Sequence, residues 1–176
     1  FMVFFAVTIC TSSWDWIMSI DAHWYSTLFG WYIFAGLWVS GTIFLICFLL
    51  YMQSKGYMQN VNKSHLHDVG KWMFAISMVW SYLWLSQFLL IWYANIPEEV
   101  TYFQFRIEHY NGIYFGMLLV NFFLPFFVLM SSDSKKNPKF LLTVGALIFL
   151  GHWADVFVMV MPGIMGANWH FGFVEV

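Results

Sequence analysis

The chain has 176 residues, of which 61% are hydrophobic and only 9% are charged. Soluble domains carry roughly 25% charged residues, so this composition leaves too little polar surface for a protein in water. The net charge of -2 also argues against a nucleic-acid-binding protein, which needs a basic face. We therefore expect an integral membrane protein.

Runs of about 20 apolar residues predict helices that cross the hydrocarbon core of a bilayer. The predicted fold class is an all-α integral membrane protein, a four-helix transmembrane bundle preceded by the end of another transmembrane helix. Because the chain opens inside an apolar run, we expect a fragment of a longer polypeptide. The predicted segments are the helix end at 1–11, the bundle at 24–161 with helices at about 24–52, 68–93, 111–131 and 139–161, an interfacial connection at 94–110, and a periplasmic-side tail at 162–176.

Small residues and prolines predict close helix packing and helix ends. Gly36 and Ser40, four residues apart, are predicted to let another helix backbone approach closely. Pro97 and Pro162 are predicted to stop the third and fifth helices, because proline cannot donate a helical hydrogen bond.

Loop charges predict the orientation in the membrane. Positively charged loops stay in the cytoplasm, so the loops at 53–67 and 131–138 are predicted to be cytoplasmic and the acidic loops to face the periplasm or its equivalent. The lysine side holds Lys55, Lys63, Lys71, Lys135, Lys136 and Lys139, and the acidic side holds Asp15, Asp21, Glu98, Glu99 and Glu108 with the single basic residue Arg106.

The strongest candidate site is the pair His152 and Asp155 in the fifth helix. They are three residues apart and so share a helix face, roughly 18–22 Å from the cytoplasmic end. Ionisable residues inside a bilayer are costly and point to function. The pair is interpreted as a proton relay or a contact for a quinone hydroxyl. The alternative is a structural pair that ties helices together.

Further polar residues follow the third and fourth helices. Ser77, Ser81 and Gln87 fall on one face of the third helix, and Gln87 reaches the predicted depth of Asp155. This face is interpreted as a path for water to the acid–base pair, or as ordinary hydrogen bonding between helices. Tyr114 and Asn121 share a face of the fourth helix, where packing is the plainer role.

Histidines and cysteines give little indication of a cofactor or metal held by this chain. Cys10 and Cys47 lie in apolar runs without a Cys-x-x-Cys motif, which argues against an iron–sulfur cluster or covalent haem c. A haem b needs paired histidines at matched depth, and no such pair is evident. His65 and His67 are interpreted as loop histidines, and no metal site is predicted.

The corner after the third helix is chemically distinct. Glu98 and Glu99 directly follow Pro97. They are interpreted as helix-capping acids, as a docking point for a cationic partner, or as a solvated corner.

Three stretches carry a family resemblance. They are WIMSIDAHWYST at 16–27, SQFLLIWYANIPEE at 86–99, and HWAD at 152–155 followed by MPG at 161–163. Together they resemble the second NrfD-like (polysulfide-reductase type) membrane subunit of alternative complex III, a bacterial quinol:cytochrome c oxidoreductase.

The resemblance implies a second four-helix bundle plus one preceding helix, in a multi-pass subunit of the bacterial inner membrane. It implies that this chain holds no redox cofactor, with quinol a candidate ligand. The implied partners are a homologous NrfD-like membrane subunit, an iron–sulfur protein that carries the clusters, c-type haem proteins, and lipid. The implied role is proton translocation or scaffolding.

Two other functions remain open. One is a purely structural anchor for periplasmic haem subunits. The other is a secondary transporter, although the inverted repeats and broken helices common in transporters are not clear here.

Overall fold

The computed structural model describes residues 2–169, and every regular element in that range is a helix. This confirms the predicted all-α class. An all-helical fold is expected in a bilayer, because a helix satisfies its backbone hydrogen bonds internally. The helices are α1 Met2–Trp16, α2 Phe29–Ser54, α3 Lys63–Ala94, α4 Pro97–His109, α5 Asn111–Leu129, α6 Ser132–Lys136 and α7 Pro138–Met165.

Five helical stretches are long and apolar enough to cross a membrane. They are α2, α3, α5, α7 and the stretch Val3–Ile20, which joins α1 to a short 3₁₀ turn at Met18–Ile20. The predicted helix end at 1–11 is therefore part of a longer helical stretch within the described residues. Helices α4 and α6 are shorter and connect the spanning helices.

Several helix boundaries differ from the predicted ones for local reasons. Helix α3 begins at Lys63 rather than 68 because the side chain of Asn62 accepts hydrogen bonds from the first turn and forms a capping box with His65. Helix α2 begins at Phe29 rather than 24, because residues 21–28 form a non-helical connection in which Trp24 stacks on the ring of Tyr102.

Helix α7 continues past Pro162 to Met165, so the prediction that this proline ends the helix was wrong. A proline inside a helix removes the amide that would bond to the carbonyl four residues earlier. That carbonyl belongs to Val158, and the Nε–H of Arg106 donates to it over 3.2 Å. The donor from α4 compensates for the missing helical bond, which lets α7 continue.

The bundle is a ring of four helices in the order α2, α3, α5 and α7, with α1 packed outside against α2. Its half near the lysine loops has an aliphatic core around Val39, Met73 and Ile148. Its half near the acidic loops has a largely aromatic core around Trp80 and Trp24. The polar residues of interest lie in the second half.

The two lysine-bearing ends meet at one end of the bundle. The hydroxyl of Ser132 lies 3.2 Å from Nε2 of His67, and Lys135 contacts α3 beside Gly70. The buried Nζ of Lys135 donates to the carbonyls of Leu129 and Met130 at 2.6 and 3.3 Å, which caps the end of α5. The predicted grouping of the loops at 53–67 and 131–138 on one side agrees with this packing.

Candidate functional site

Asp155 lies at the centre of the site, on the buried face of α7, with 3% of its surface exposed. Its carboxyl accepts a hydrogen bond from the hydroxyl of Tyr32 on α2 and another, of 3.2 Å, from Nε1 of Trp80 on α3. The rings of Tyr32 and Trp80 stack with centroids 5.4 Å apart. One carboxyl therefore joins three helices of the bundle.

His152 is also buried, but it is not linked to Asp155. No hydrogen bond or ion pair joins the two side chains in the described structure, so the two candidates are not linked directly. The ring of His152 stands edge-on to Trp80 with centroids 5.3 Å apart. Neither of its nitrogens has a hydrogen-bond partner among residues 2–169. Trp80 thus contacts both members of the predicted pair.

Gly36 on α2 lies opposite His152 of α7 and Trp80 of α3. A Cβ atom at Gly36 would lie 3.5 Å from Nδ1 of His152 and 3.7 Å from the Trp80 ring. Both distances are ordinary van der Waals contacts, so the packing of His152 and Trp80 does not require a glycine at this position.

A small cavity adjoins Asp155 on the side of the acidic loops. Its volume of about 30 Å³ suits about one or two water molecules. Polar groups reach it from five helices, because it is bordered by Tyr32, Gln87, Tyr114, Arg106 and Asp155. The predicted candidates Gln87 and Tyr114 therefore lie in one site with Asp155.

The far side of this cavity is formed by Arg106, whose exposed surface is only 2%. Its guanidinium group lies 3.3 Å from the centre of the Tyr102 ring and donates to the carbonyls of Tyr102 and Met159. Its Nη1 is 3.5 Å from the carboxylate of Asp21, which is about one-third exposed. Burial raises the pKa of Tyr102 to about 12 against the opposing effect of Arg106, so the phenol beside the guanidinium stays neutral at ordinary pH.

The serines of the predicted polar face bond within their own helix. Ser77 donates to the carbonyl of Met73 and Ser81 to that of Ser77, each over 2.8 Å. Both serines are buried, but neither borders the cavity beside Asp155. Their geometry favours the interpretation that they are packed helix-face residues.

Asn121 lies in an unusual part of α5, a π-helical turn at Leu119–Phe123. Such turns are rare and frequent at functional sites. Its side chain is fully buried against the backbone of Gly151, and neither amide atom has a partner among the described residues. Asn121 does not border the cavity at Asp155, so the structure separates it from Tyr114.

A second, larger space opens between α1, α2 and α7. This groove has a volume of about 540 Å³ and a mostly apolar lining. His152 and Asp155 reach it from α7, Tyr32 and Gly36 from α2, and Trp16 from α1. The two predicted candidates on α7 thus share a space on the outer side of the bundle.

The remaining candidates lie in the connections. Glu98 and Glu99 occupy the first turn of α4, where carboxylates favour the helix dipole. His65 belongs to the cap of α3 and His67 contacts Ser132. Among residues 2–169, no group of three or more His, Cys, Asp or Glu side chains is placed to hold a metal ion.

The other candidate histidines differ in how far their side chains are exposed. His23 and His109 are exposed, whereas His152 is buried. This gives no buried pair of the kind that haem b requires within the described range. His170 and the rest of the predicted tail from 170 to 176 lie outside the described residues.

Sequence reasoning missed the partners of Asp155. Tyr32 is one of many aromatic residues in an apolar helix and carries no motif. Arg106 gave a signal, as the single basic residue on the acidic side, but its location in the connecting helix concealed its burial. Asp21 gave no signal beyond its charge.

Fold and site together define a multi-pass α-helical membrane protein with a buried carboxyl site between its helices. A comparison with models of known protein families finds no match. A comparison with curated proteins finds none either.

Proposed function

We propose that this chain is a membrane subunit of a bacterial respiratory quinol:cytochrome c oxidoreductase, in which it contributes part of a proton path and holds no redox cofactor. The sequence resemblance to the second NrfD-like subunit of alternative complex III supports the assignment to such a complex. The proton-path role is supported by one structural observation, the buried Asp155 hydrogen-bonded to Tyr32 beside a water-sized cavity.

The chemistry of this arrangement suits proton transfer. A carboxyl can bind and release a proton, and a tyrosine hydroxyl can both donate and accept a hydrogen bond. Intramembrane carboxyls that face a bundle interior are typical of proton relays. In this proposal, quinol is oxidised in a neighbouring subunit, and the iron–sulfur protein and the c-type haem proteins carry the electrons.

One observation favours a second candidate, a structural anchor for the haem subunits. Asp155 joins α2, α3 and α7 through its two hydrogen bonds, which would hold the bundle together without any proton transfer. Removing the charge while keeping the hydrogen bonding separates the two functions.

Asp155→Asn makes this separation, because an amide oxygen still accepts from Tyr32 or Trp80 but cannot carry a proton. The complex that contains the variant is purified and reconstituted in liposomes, and electron transfer and proton release are measured together. Assembly should survive while the number of protons moved per electron falls. Glu108→Gln, which alters an exposed acid on α4, is the matched control.

An unchanged proton-to-electron ratio in Asp155→Asn would eliminate the relay role and leave the anchor. Asp155→Leu then provides a test of the anchor, because it removes both hydrogen bonds. Loss of assembly in Asp155→Leu alone would support a structural role. Loss of turnover at an unchanged ratio would place quinol chemistry at Asp155 itself.

A further inference from the structure

We propose that water in the cavity beside Asp155 connects this carboxyl to the Arg106–Asp21 ion pair. Asp21 is then the surface end of the proton path. Arg106 is a positioning residue that guards the path, which means that its fixed charge limits the passive leak of protons. The inference rests on the proposed proton-path function and extends it to Arg106 and Asp21, which the sequence did not connect with Asp155. It assigns the direction of the path, toward the acidic loops.

The cavity supplies the inner half of this connection. Asp155 borders it from α7 and Arg106 from α4, and Gln87 and Tyr114 supply further polar groups. The hydroxyl of Tyr114 is buried and has no partner among the described residues. Water needs two to four polar partners in a buried site, and this lining provides them.

The ion pair supplies the outer half. Arg106 is buried, whereas the side chain of Asp21 is 31% exposed and directly follows the apolar stretch Val3–Ile20, which places it at the end of the spanning region. The titratable and charged groups around the cavity and its exit are Asp155, Tyr32, Tyr114, Tyr102, Arg106 and Asp21. Among these groups, Asp21 is the carboxylate that can receive a proton at the boundary.

Arg106 is suited to guard the path because its position and charge are fixed. The guanidinium group does not lose its proton in proteins. It is held by the carbonyls of Tyr102, Val158 and Met159, and the carbonyl of Val158 lacks its helical partner because of Pro162. A fixed positive charge at this point opposes the uncontrolled passage of protons and other cations.

The transfer balances without any redox step. The O–H bond of protonated Asp155 breaks, and the proton moves through water to the carboxylate of Asp21, where a new O–H bond forms. Asp155 is left as a carboxylate that accepts from Tyr32 and Trp80. The proton on Asp21 is then released to the aqueous phase.

Hydration of the cavity can be tested without measuring activity. Hydroxyl radicals generated from water by a brief X-ray pulse oxidise buried side chains that lie next to water. Met117 borders the cavity and Met73 lies in the aliphatic core, and both are buried. We expect Met117 in the intact complex to be oxidised several-fold faster than Met73, and equal slow rates would overturn the proposal.

The path itself is tested in the reconstituted complex with Asp21→Asn, Asp155→Asn and the double variant. If the two acids lie on one path, Asp21→Asn lowers the proton-to-electron ratio and the double variant is no worse than Asp155→Asn. If Asp155→Asn lowers the ratio but Asp21→Asn behaves like the control Glu108→Gln, this inference is refuted while the proposed function stands. An unchanged ratio in Asp155→Asn would refute the proposed function and the inference with it.

The guarding role of Arg106 has its own measurement, passive proton leak into the liposomes. Arg106→Gln should raise the leak several-fold, and the leak should return to the wild-type rate when Asp155→Asn is added. Arg106→Lys keeps the charge and should leak much less than Arg106→Gln. Equal leaks in wild type, Arg106→Lys and Arg106→Gln would show that Arg106 does not guard the path.

Discussion

The hydroxyl of Tyr32 donates a hydrogen bond to the carboxyl of Asp155, 123 positions later in the chain, inside the helix bundle. Tyr32 is 5% exposed and Asp155 3%, so the bond is shielded from bulk water. Buried polar groups without partners are expensive. The pair therefore matters for stability whatever its role in proton transfer.

Tyr32→Phe should destabilise the protein by about 1–3 kcal/mol, the cost of leaving a buried acceptor with one donor fewer. The measurement is denaturation in mixed micelles with increasing SDS, followed by circular dichroism. Tyr25→Phe is the control, because Tyr25 is 70% exposed and should tolerate the change. Equal stability of the two variants would mean that Asp155 does not depend on the tyrosine.

Gly151→Ala should destabilise the contact between α5 and α7. A Cβ atom at Gly151 would lie 2.8 Å from Cγ1 of Val120 and would overlap the amide of Asn121. Inserting a methylene-sized group into a packed core costs about 1–3 kcal/mol. Gly41→Ala, on an open face of α2 with no atom within 4 Å of the new Cβ, is the control and should be neutral in the same assay.

Two neighbouring lysines of α6 should respond differently to removal of their charge. Lys135→Met leaves the carbonyls of Leu129 and Met130 without their donor and should cost about 1.5–3 kcal/mol. Lys136→Met removes an exposed lysine whose partner Asp133 is also exposed, and should have little effect. Thermal unfolding in detergent measures both, and equal losses would contradict the capping role of Lys135.

The orientation of the chain predicts which loops an impermeant thiol reagent can reach from outside the cell. A cysteine introduced at Glu98 should be labelled, whereas one at Asp133 should be labelled only after the membrane is opened. Both side chains are exposed, so access depends on the side of the membrane rather than on burial. The reverse pattern would place the lysine loops outside and overturn the predicted topology.

The sequence by itself determined the class of fold. Apolar runs of spanning length can only be stabilised as helices in a bilayer, and the structure has spanning helices in the four predicted bundle regions. The helix ends were less predictable, because they depend on partners elsewhere. Pro162 was expected to end α7, but a donor from Arg106 allows the helix to continue.

The sequence also identified Asp155 as a residue of interest, since a carboxyl in a membrane helix is costly and needs a partner. It proposed the nearest ionisable neighbour, His152, because sequence spacing reveals only contacts along one helix. The tertiary structure selected Tyr32 and Trp80 from α2 and α3 instead. It also buried Arg106 beside the same cavity as Asp155. Which side chains meet in a bundle is decided by how the helices rotate and pack against one another, and that arrangement depends on all the buried side chains together.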